Sequence, residues 1–509
     1  MRQSLMETFD DIYILDLHGN TKKKERAPDG GNDENIFDIQ QGVAVGIFVK
    51  KKNGGEKKKL AKVRHADLWG TRETWSGSGV NRNLIGGKYW WLWNNDAAST
   101  PWANVKPNSP FYLFRSQDAS IDLEYRAYWS LPNIMPINVL GFQTHRDKFS
   151  IAFDETELRT RLDEMRDVLV SDTDFAARYA LKDSQGWKLA EARKAICEDP
   201  DWENKITACL YRPFDWRHCY FSKKIMDRPR RELLDHVFSK ENCCILVPRQ
   251  IGTSDWKHAS ISKHVAESCL VSTKTREQNY NFPIYLYPDS DRQDLFENEA
   301  LKDTPDGRQP NLDIKFIGEF SGKLGLVFVN AARKGDLKKT FGPEDVVAYI
   351  YAILHSTTYR ERYGEFLRID FPRIPLTSSI SLFRAVCALG AELIDLHLMD
   401  IFGPAMTSYP VEGSNTVKKL MYTEPMEGSQ GRIWINEAQY FEGVSEDVWN
   451  FHVGAHQVCQ KWLNDRKGRT LDFQDIQHYQ HIVSALSETI RCMTEIDAAI
   501  DNNGGWPIS

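Results

Sequence analysis

Apolar positions along the chain fall into blocks of different period, and the periods set the expected elements. Near the start, Ile12-Tyr-Ile-Leu-Asp-Leu17 and Val43-Ala-Val-Gly-Ile-Phe-Val49 are short β-branched-rich runs, which predicts buried strands rather than helix. A polar loop from Gly19 to Gly31 separates them and carries Lys22, Lys23, Lys24 and Arg26, then closes through Asn35-Ile-Phe-Asp-Ile-Gln-Gln-Gly42. The turn from Lys50 to Lys59 has Asn53-Gly54 near its tip, which suits a tight hairpin, with Leu60 to His65 as the returning strand. Residues 86–153 alternate aromatic clusters with Pro101, Pro107, Pro110, Pro132 and Pro136. Those prolines break any long helix and leave a connector of short strands.

From Asp154 the period changes. Leu158, Leu162, Met165, Val168 and Leu169 recur at helical spacing behind an Asp154 N-cap, and a second helix is expected over Trp187 to Ile196. Residues 205–290 return to β patterning. There Ile206 to Tyr211 and Trp216 to Phe221 flank Arg212-Pro-Phe-Asp215, and Cys243 to Gln250 and Cys269 to Ser272 are further apolar runs. Asp289 to Gly307 is an acidic surface loop. Gly342-Pro343, followed by Glu344 and Asp345, opens a helix through Leu354. A long apolar helix from Leu382 to Met399, hairpins over residues 412–445, and helices Trp449 to Leu463 and Phe473 to Ile500 complete the chain. The fold class is α+β, in sections 1–68, 69–153, 154–340 and 341–509.

Composition narrows the function. A chain of 509 residues with a net charge of −6 is not uniformly basic, so any duplex-binding surface must be local. Such a patch exists: residues 205–276 hold 14 Lys and Arg against 7 Asp and Glu. Within it, Arg228, Arg230 and Arg231 form one cluster, and Lys274 and Arg276 follow the last apolar run. Arg249 and Gln250 end a strand, where Arg forks onto a guanine edge and Gln onto an adenine edge. The bland alternative is a mixed β-domain with solvated charges. No apolar leader opens the chain, no run reaches the length of a membrane span, and nine cysteines form no CxxC pair. Reduced thiols in a cytoplasmic protein are expected. His452, His456 and Cys459 fall at helical spacing, but no fourth ligand accompanies them, so a core role is expected and no metal.

Several blocks together resemble a known family. The segments Ile12-Tyr-Ile-Leu-Asp-Leu-His-Gly-Asn20 and Asp33-Glu-Asn-Ile-Phe-Asp-Ile-Gln-Gln-Gly42, with the strand that follows, resemble the end of a DNA-adenine amino-methyltransferase domain. The likeness is greatest to type ISP and related single-chain restriction-modification enzymes. The Gly141-Phe-Gln-Thr-His-Arg-Asp-Lys148 block and the long segment from His355 to Leu376 resemble that family's target-recognition region. The resemblance implies a remnant of a Rossmann-like methyltransferase sheet, followed by a mixed β-rich and helical DNA target-recognition domain. It also implies that Phe37 stacks on a flipped-out target base. Thr144, Arg146 and Lys148 contact phosphate in one reading and form a local turn network in the other. The family transfers a methyl group from S-adenosylmethionine to adenine. The glycine-rich cofactor turn and the (Asp/Asn/Ser)-Pro-Pro-aromatic loop are absent here. Gly77-Ser-Gly79 and Asn108-Ser-Pro-Phe111 are only decoys. The chain alone is therefore expected to bind no cofactor and to be inactive as a methyltransferase. Its expected partners are double-stranded DNA and a separately encoded methyltransferase, helicase or nuclease half. The alternative is a non-catalytic remnant or interaction protein.

Overall fold

The computed structural model describes residues 1–21, 26–51, 60–77, 82–109, 111–115, 119–184, 186–252, 255–273, 277–288, 307–426 and 430–508. Contacts divide the chain into two compact units, residues 1–124 and 125–509.

The first unit is built on β1 (Asp11–Asp16), β2 (Ala44–Val49), β3 (Lys62–Asp67), the short helix α1 (Lys88–Asn94) and β4 (Ala103–Val105). Both opening strands form where the apolar runs place them. The expected hairpin between β2 and β3 does not. The sheet order is β2-β1-β3-β4, so β1 lies between them, antiparallel to β2 and parallel to β3. The parallel pairing lets both faces of β1 and β3 be covered. Ile12 and Val63 pack on one side with Met6 and Ala61; Leu15, Leu17, Ala66 and Leu68 pack on the other with Ile36. Edge strand β2, by contrast, is exposed along its whole length.

The second unit holds two four-stranded sheets and a helical layer. Among its elements, in chain order, are β5 (Val139–Leu140), β6 (Ile151–Ala152), α2 (Glu155–Arg166), α3 (Leu189–Cys197), β7 (Ile206–Arg212), β8 (Asp215–Tyr220), β9 (Cys244–Pro248), β10 (Ser260–Ser262), β11 (Val265–Ala266), β12 (Asn279–Pro283), α4 (Pro343–His355), α5 (Ile380–His397), α6 (Val458–Asp465) and α7 (Phe473–Asn502). One sheet runs β11-β7-β8-β6 and the other β10-β9-β12-β5. Helices α2 and α3 bury Leu158, Leu162, Met165 and Ile196 with Tyr220 of β8. The apolar α4 is buried along its length, and α5 and α7 bury faces beside it. Among the described residues, no helix is long and apolar enough to cross a membrane.

Four sequence expectations need correction. The α2 helix ends at Arg166 because Asp167 turns extended, so Val168 and Leu169 lie outside it and are exposed. Cys269 to Ser272 is buried but is no strand: side chains replace the ladder, with Cys269 N donating to Glu267 Oε2 and Leu270 N to Asn279 Oδ1. Trp449 to Leu463 is not one helix. A helical turn ends at Trp449, the hairpin His452–Val453/His456–Gln457 folds about left-handed Gly454, and only then does α6 begin. His452, His456 and Cys459 thus share no helix face. In α7, Leu486, Ile496 and Ile500 are buried, but Ile490 and Met493 are only half-buried, their places taken by Thr489 and Cys492.

Candidate nucleic-acid interface

The second unit brings three chain segments to one end of one sheet. Strands β9 and β12 pair antiparallel with Pro248 opposite Asn279, and β5 pairs with β12 through Leu140 and Tyr280. Arg249-Gln250, Gln278 and Gly141 therefore all leave the sheet at the same end. Gly141 lies so close to the β11 exit that a Cβ there would stand 2.6 Å from Ser268 N and 2.7 Å from Ala266 O. Phe142 N donates to Ala266 O and Ser268 N donates to Phe142 O, both at 3.0 Å, which locks the start of the loop Gly141 to Lys148.

That loop borders a hollow of about 930 Å³, lined also by Arg212, Asp227, Glu267, Thr273 and Gln278. Its wall is a network of charges. Thr144 Oγ1 donates to Asp147, and Asp147 also accepts from Tyr211 Oη at 2.8 Å. Arg212, stacked on Tyr211, meets Glu267 at 2.6 Å with both side chains buried. Burial pushes the Glu267 carboxyl up, and Arg212 opposes that shift. Arg146 donates to the carbonyls of Thr144 at 3.0 Å and Ile225 at 3.1 Å, pairs with Asp227, and lies 3.9 Å over the Trp187 ring. Burial would raise the Asp227 carboxyl, but Arg146 and His145 hold it below the usual carboxylate range. Thr144 and Arg146 are thus absorbed by the turn network, and it is Lys148 that stands exposed, on a backbone carbonyl gripped by Arg161 at 2.9 Å.

The neighbouring strand segment supplies more cations. Gln143 and Arg228 exchange backbone hydrogen bonds of 2.9 and 3.0 Å, which brings exposed Arg228 to the same loop. Arg230 is half-buried, and Arg231 pairs with Asp235 at 3.0 Å. Gln250 and Arg249 are both exposed, and Arg249 places its Nε on Asp370 at 2.8 Å. Lys274 and Arg276, like Lys22, Lys23 and Lys24, lie outside the described residues. Two cations from the long 355–376 segment are structural: Arg360 Nε donates to Leu354 O at 2.7 Å, and Arg373 donates to Tyr128 O at 2.8 Å.

In the first unit, Phe37 is 54% exposed at the rim of a second hollow of about 610 Å³. The turn that carries it is held from all sides. Arg72 donates to Asn35 O (2.7 Å), to Asp38 (2.7 Å) and to Phe37 O (3.0 Å). Asn35 Oδ1 accepts from Phe37 N at 2.9 Å. Lys88, fully buried, spends its ammonium on Leu17 O, Glu34 O and Asp33, each at 2.7 Å. A buried ion pair is tolerable only when such partners are complete. No periodicity signals this support, because Arg72 and Lys88 reach back across the chain. Asp16, His18 and Asp67 also converge, but His18 Nε2 already bonds Asp67 at 2.9 Å, and the ring stacks on Trp69 at 3.3 Å.

Residues 133–495 match the family described as the Type ISP C-terminal specificity domain. The chain belongs to that family. No curated protein matches the sequence. Among solved structures, the chain is similar to the ATP-dependent Type ISP restriction-modification enzyme LlaBIII bound to DNA, with TM-score 0.64 and 21% identity, covering 98% of this chain and 31% of LlaBIII. It is also similar to a nuclease-deletion mutant of the Type ISP enzyme LlaGI in complex with a DNA substrate mimic, with TM-score 0.61 and 18% identity over 98% of this chain and 37% of that one. A DrdV–DNA complex gives TM-score 0.65 and 17% identity over 97% of this chain and 48% of that one. The chain spans less than half the length of each. The specificity domain thus coincides almost wholly with the second unit, and the sheet end described above lies within it.

Proposed function

We propose that this Type ISP specificity chain reads DNA sequence as the target-recognition portion of an adenine-specific restriction-modification enzyme. The observation that carries the reading is the convergence of Arg249-Gln250, Gln278 and the 141–148 loop at one sheet end inside the specificity domain. Phosphate contacts position such a protein and base contacts specify the sequence. Lys148 and Arg228 supply the former. Arg249 and Gln250 supply the latter, with Asp370 aiming the Arg249 fork. Thr144 and Arg146 act one step back, by fixing the loop.

In the first unit, the reading assigns Phe37 to stacking on an extrahelical base and the β1–β4 sheet to the end of a Rossmann-like methyltransferase sheet. The described residues do not fit S-adenosylmethionine. The one glycine turn from a strand into α1, Gly86-Gly87, is filled by the Arg72 and Glu73 backbone, and the first amides of α1 already donate to Thr71 O and Arg72 O. Cofactor binding is therefore assigned to a complementary catalytic half, whose sheet would continue from exposed β2. The nine cysteines, all free thiols, suit a reducing cytoplasm.

The test is retention of pooled duplex DNA by the purified chain across a salt series, with sequencing of what is retained. A steep loss with salt and one enriched short motif are expected, because each neutralised phosphate contributes a slope of about −0.9 in log K against log salt. Arg249→Ala should relax the motif at one position, by about 1–3 kcal/mol of discrimination. Absence of binding at low salt by a folded sample would sink the reading.

A further inference from the structure

The sheet that ends in Arg249-Gln250 has an opposite end, and another hollow opens there. Ser262 and Pro283 both stand opposite Cys244 at the start of β9. The turn after β10, the exit of β12 and the approach to β9 therefore meet at one corner. Asn242 rivets that corner: its Nδ2 donates to His236 O at 2.9 Å and to Tyr285 O at 2.7 Å, and its Oδ1 accepts from Tyr285 N at 3.1 Å. Ser262 Oγ donates to His264 O at 2.9 Å and accepts from His264 N at 3.0 Å, which closes the turn. The floor comes from α4 and α5, through Val347, Ala391, Ile394 and Leu398. Those two helices are locked together, because a Cβ on Gly390 would collide with Ala348 O. A hollow of about 660 Å³ is thus walled by fixed backbone and floored by apolar side chains, the makeup of a small-ligand site. It lies the five residues of β9, about 17 Å, from the end proposed to read bases, so target recognition leaves it unused.

Charge narrows the ligand. Four cations and four carboxylates line the hollow, which suits a ligand of no net charge. Most of them are already satisfied. Lys263 pairs with Asp400, Arg333 meets Glu241 at 2.5 Å and Glu344 at 3.6 Å, and Lys240 lies 5.3 Å over the Tyr287 ring. Asp395 and Lys334 are left. Neither side chain makes an ion pair or hydrogen bond among the described residues, although each feels the other's charge. Asp395 is half-buried on α5, directly after floor residue Ile394, and burial pushes its carboxyl up while Lys334 opposes that shift. A carboxylate held beside apolar surface without a partner is costly, and a cation on a ligand would relieve it.

We propose that this hollow binds a small zwitterion with an apolar body, the chemistry of a free apolar or aromatic α-amino acid. The ammonium meets Asp395, the carboxylate meets Lys334, and the apolar body lies on Val347, Ile394 and Leu398.

The experiment is equilibrium dialysis of radiolabelled L-phenylalanine against the full chain. One saturable site per chain at millimolar ligand is expected. Phenethylamine, which lacks the carboxylate, and 3-phenylpropanoate, which lacks the ammonium, should each compete about tenfold more weakly than unlabelled L-phenylalanine. Asp395→Asn should weaken L-phenylalanine binding about tenfold or more, and Lys334→Met should weaken it while leaving competition by phenethylamine unchanged. An absence of saturable binding at millimolar L-phenylalanine overturns the proposal, as does wild-type affinity in Asp395→Asn. Phenethylamine that competes as well as L-phenylalanine also overturns it, because the ligand would then be a cation and not a zwitterion. Should Asp395→Asn fail to fold, Lys334→Met, at an exposed position, decides: unchanged affinity for L-phenylalanine overturns the site.

Discussion

At the scale of single residues, close approach and buried polarity decide most outcomes. A Cβ on Gly141 would meet backbone atoms on both sides, and backbone cannot rotate away as a side chain can. Gly141→Ala should therefore cost about 1–3 kcal/mol, read as a lower urea midpoint with unchanged slope, and should weaken duplex binding by displacing the loop that carries Lys148. A midpoint equal to wild type would show that the loop is free to shift. His397 makes a different kind of prediction. Thr489 Oγ1 donates to Ala485 O at 2.6 Å, so His397 Nε2 donates to Thr489 at 2.8 Å, while Nδ1 accepts from Tyr351 Oη at 2.6 Å. The ring is neutral in this arrangement. Burial, helped by Arg360, pushes its pKa down to about 3 from an ordinary 6.5. The unfolded chain takes up the proton near 6.5 and the folded chain does not. Stability is thus full above that pH and is lost as pH falls from 6.5 towards 3, by up to about 1.4 kcal/mol per unit. The melting temperature should drop between pH 7.5 and 5.5, and His397→Asn should make that drop shallower. An equal drop in the variant would place the effect on other buried histidines.

At the scale of elements, one buried cluster ties a hairpin to a helix. Asp215 on β8 meets Arg217 at 2.7 Å and Arg466, at the end of α6, at 3.0 Å, and Arg217 reaches Asp465 of α6 at 3.3 Å. Burial alone would raise the Asp215 carboxyl, yet the two guanidinium groups hold it below its ordinary 3.8. Its contribution is present above that value and lost as pH falls through the folded pKa. Asp215→Asn leaves two buried cations short of an anion and should cost about 3–5 kcal/mol. A variant within 1 kcal/mol of wild type, by the same urea melts, would show that water reaches the cluster. This cluster also explains what could be read in advance. The strands around Arg212 to Asp215, the Asp154-capped helix and the helices opened by Gly342-Pro343 and at Phe473 follow from local period and capping, and they form as expected. Partners 251 residues apart, as Asp215 and Arg466 are, leave no local trace. Phe37 and the 141–148 loop were legible through family resemblance. The Arg72 and Lys88 supports were not, because their positions follow from how the first sheet closes. The hairpin expected between β2 and β3 failed for the same reason: turn chemistry specifies a reversal, while the choice of neighbour belongs to faces that must be buried.

At the scale of the whole molecule, the first unit stops at an unfinished edge. Val45, Ile47 and Val49 point to one side of β2 and Phe48 to the other, and all four are between 37% and 42% exposed. An apolar edge strand with open hydrogen-bonding groups is a template for another strand. If a catalytic half covers that edge, the isolated chain should use it for self-association instead. Sedimentation velocity of the wild-type chain should show concentration-dependent dimers or larger species. Ile47→Lys, a charge placed on an exposed edge position, should raise the dissociation constant of the dimer about tenfold or more while leaving the melting temperature unchanged, since the side chain lies on the open edge of its own sheet. A wild-type chain that stays monomeric at high concentration would mean that β2 is content in water, and the case for a strand supplied by a catalytic half would fall with it. Self-association that Ile47→Lys leaves intact would move the contact elsewhere on the surface and remove β2 from the argument.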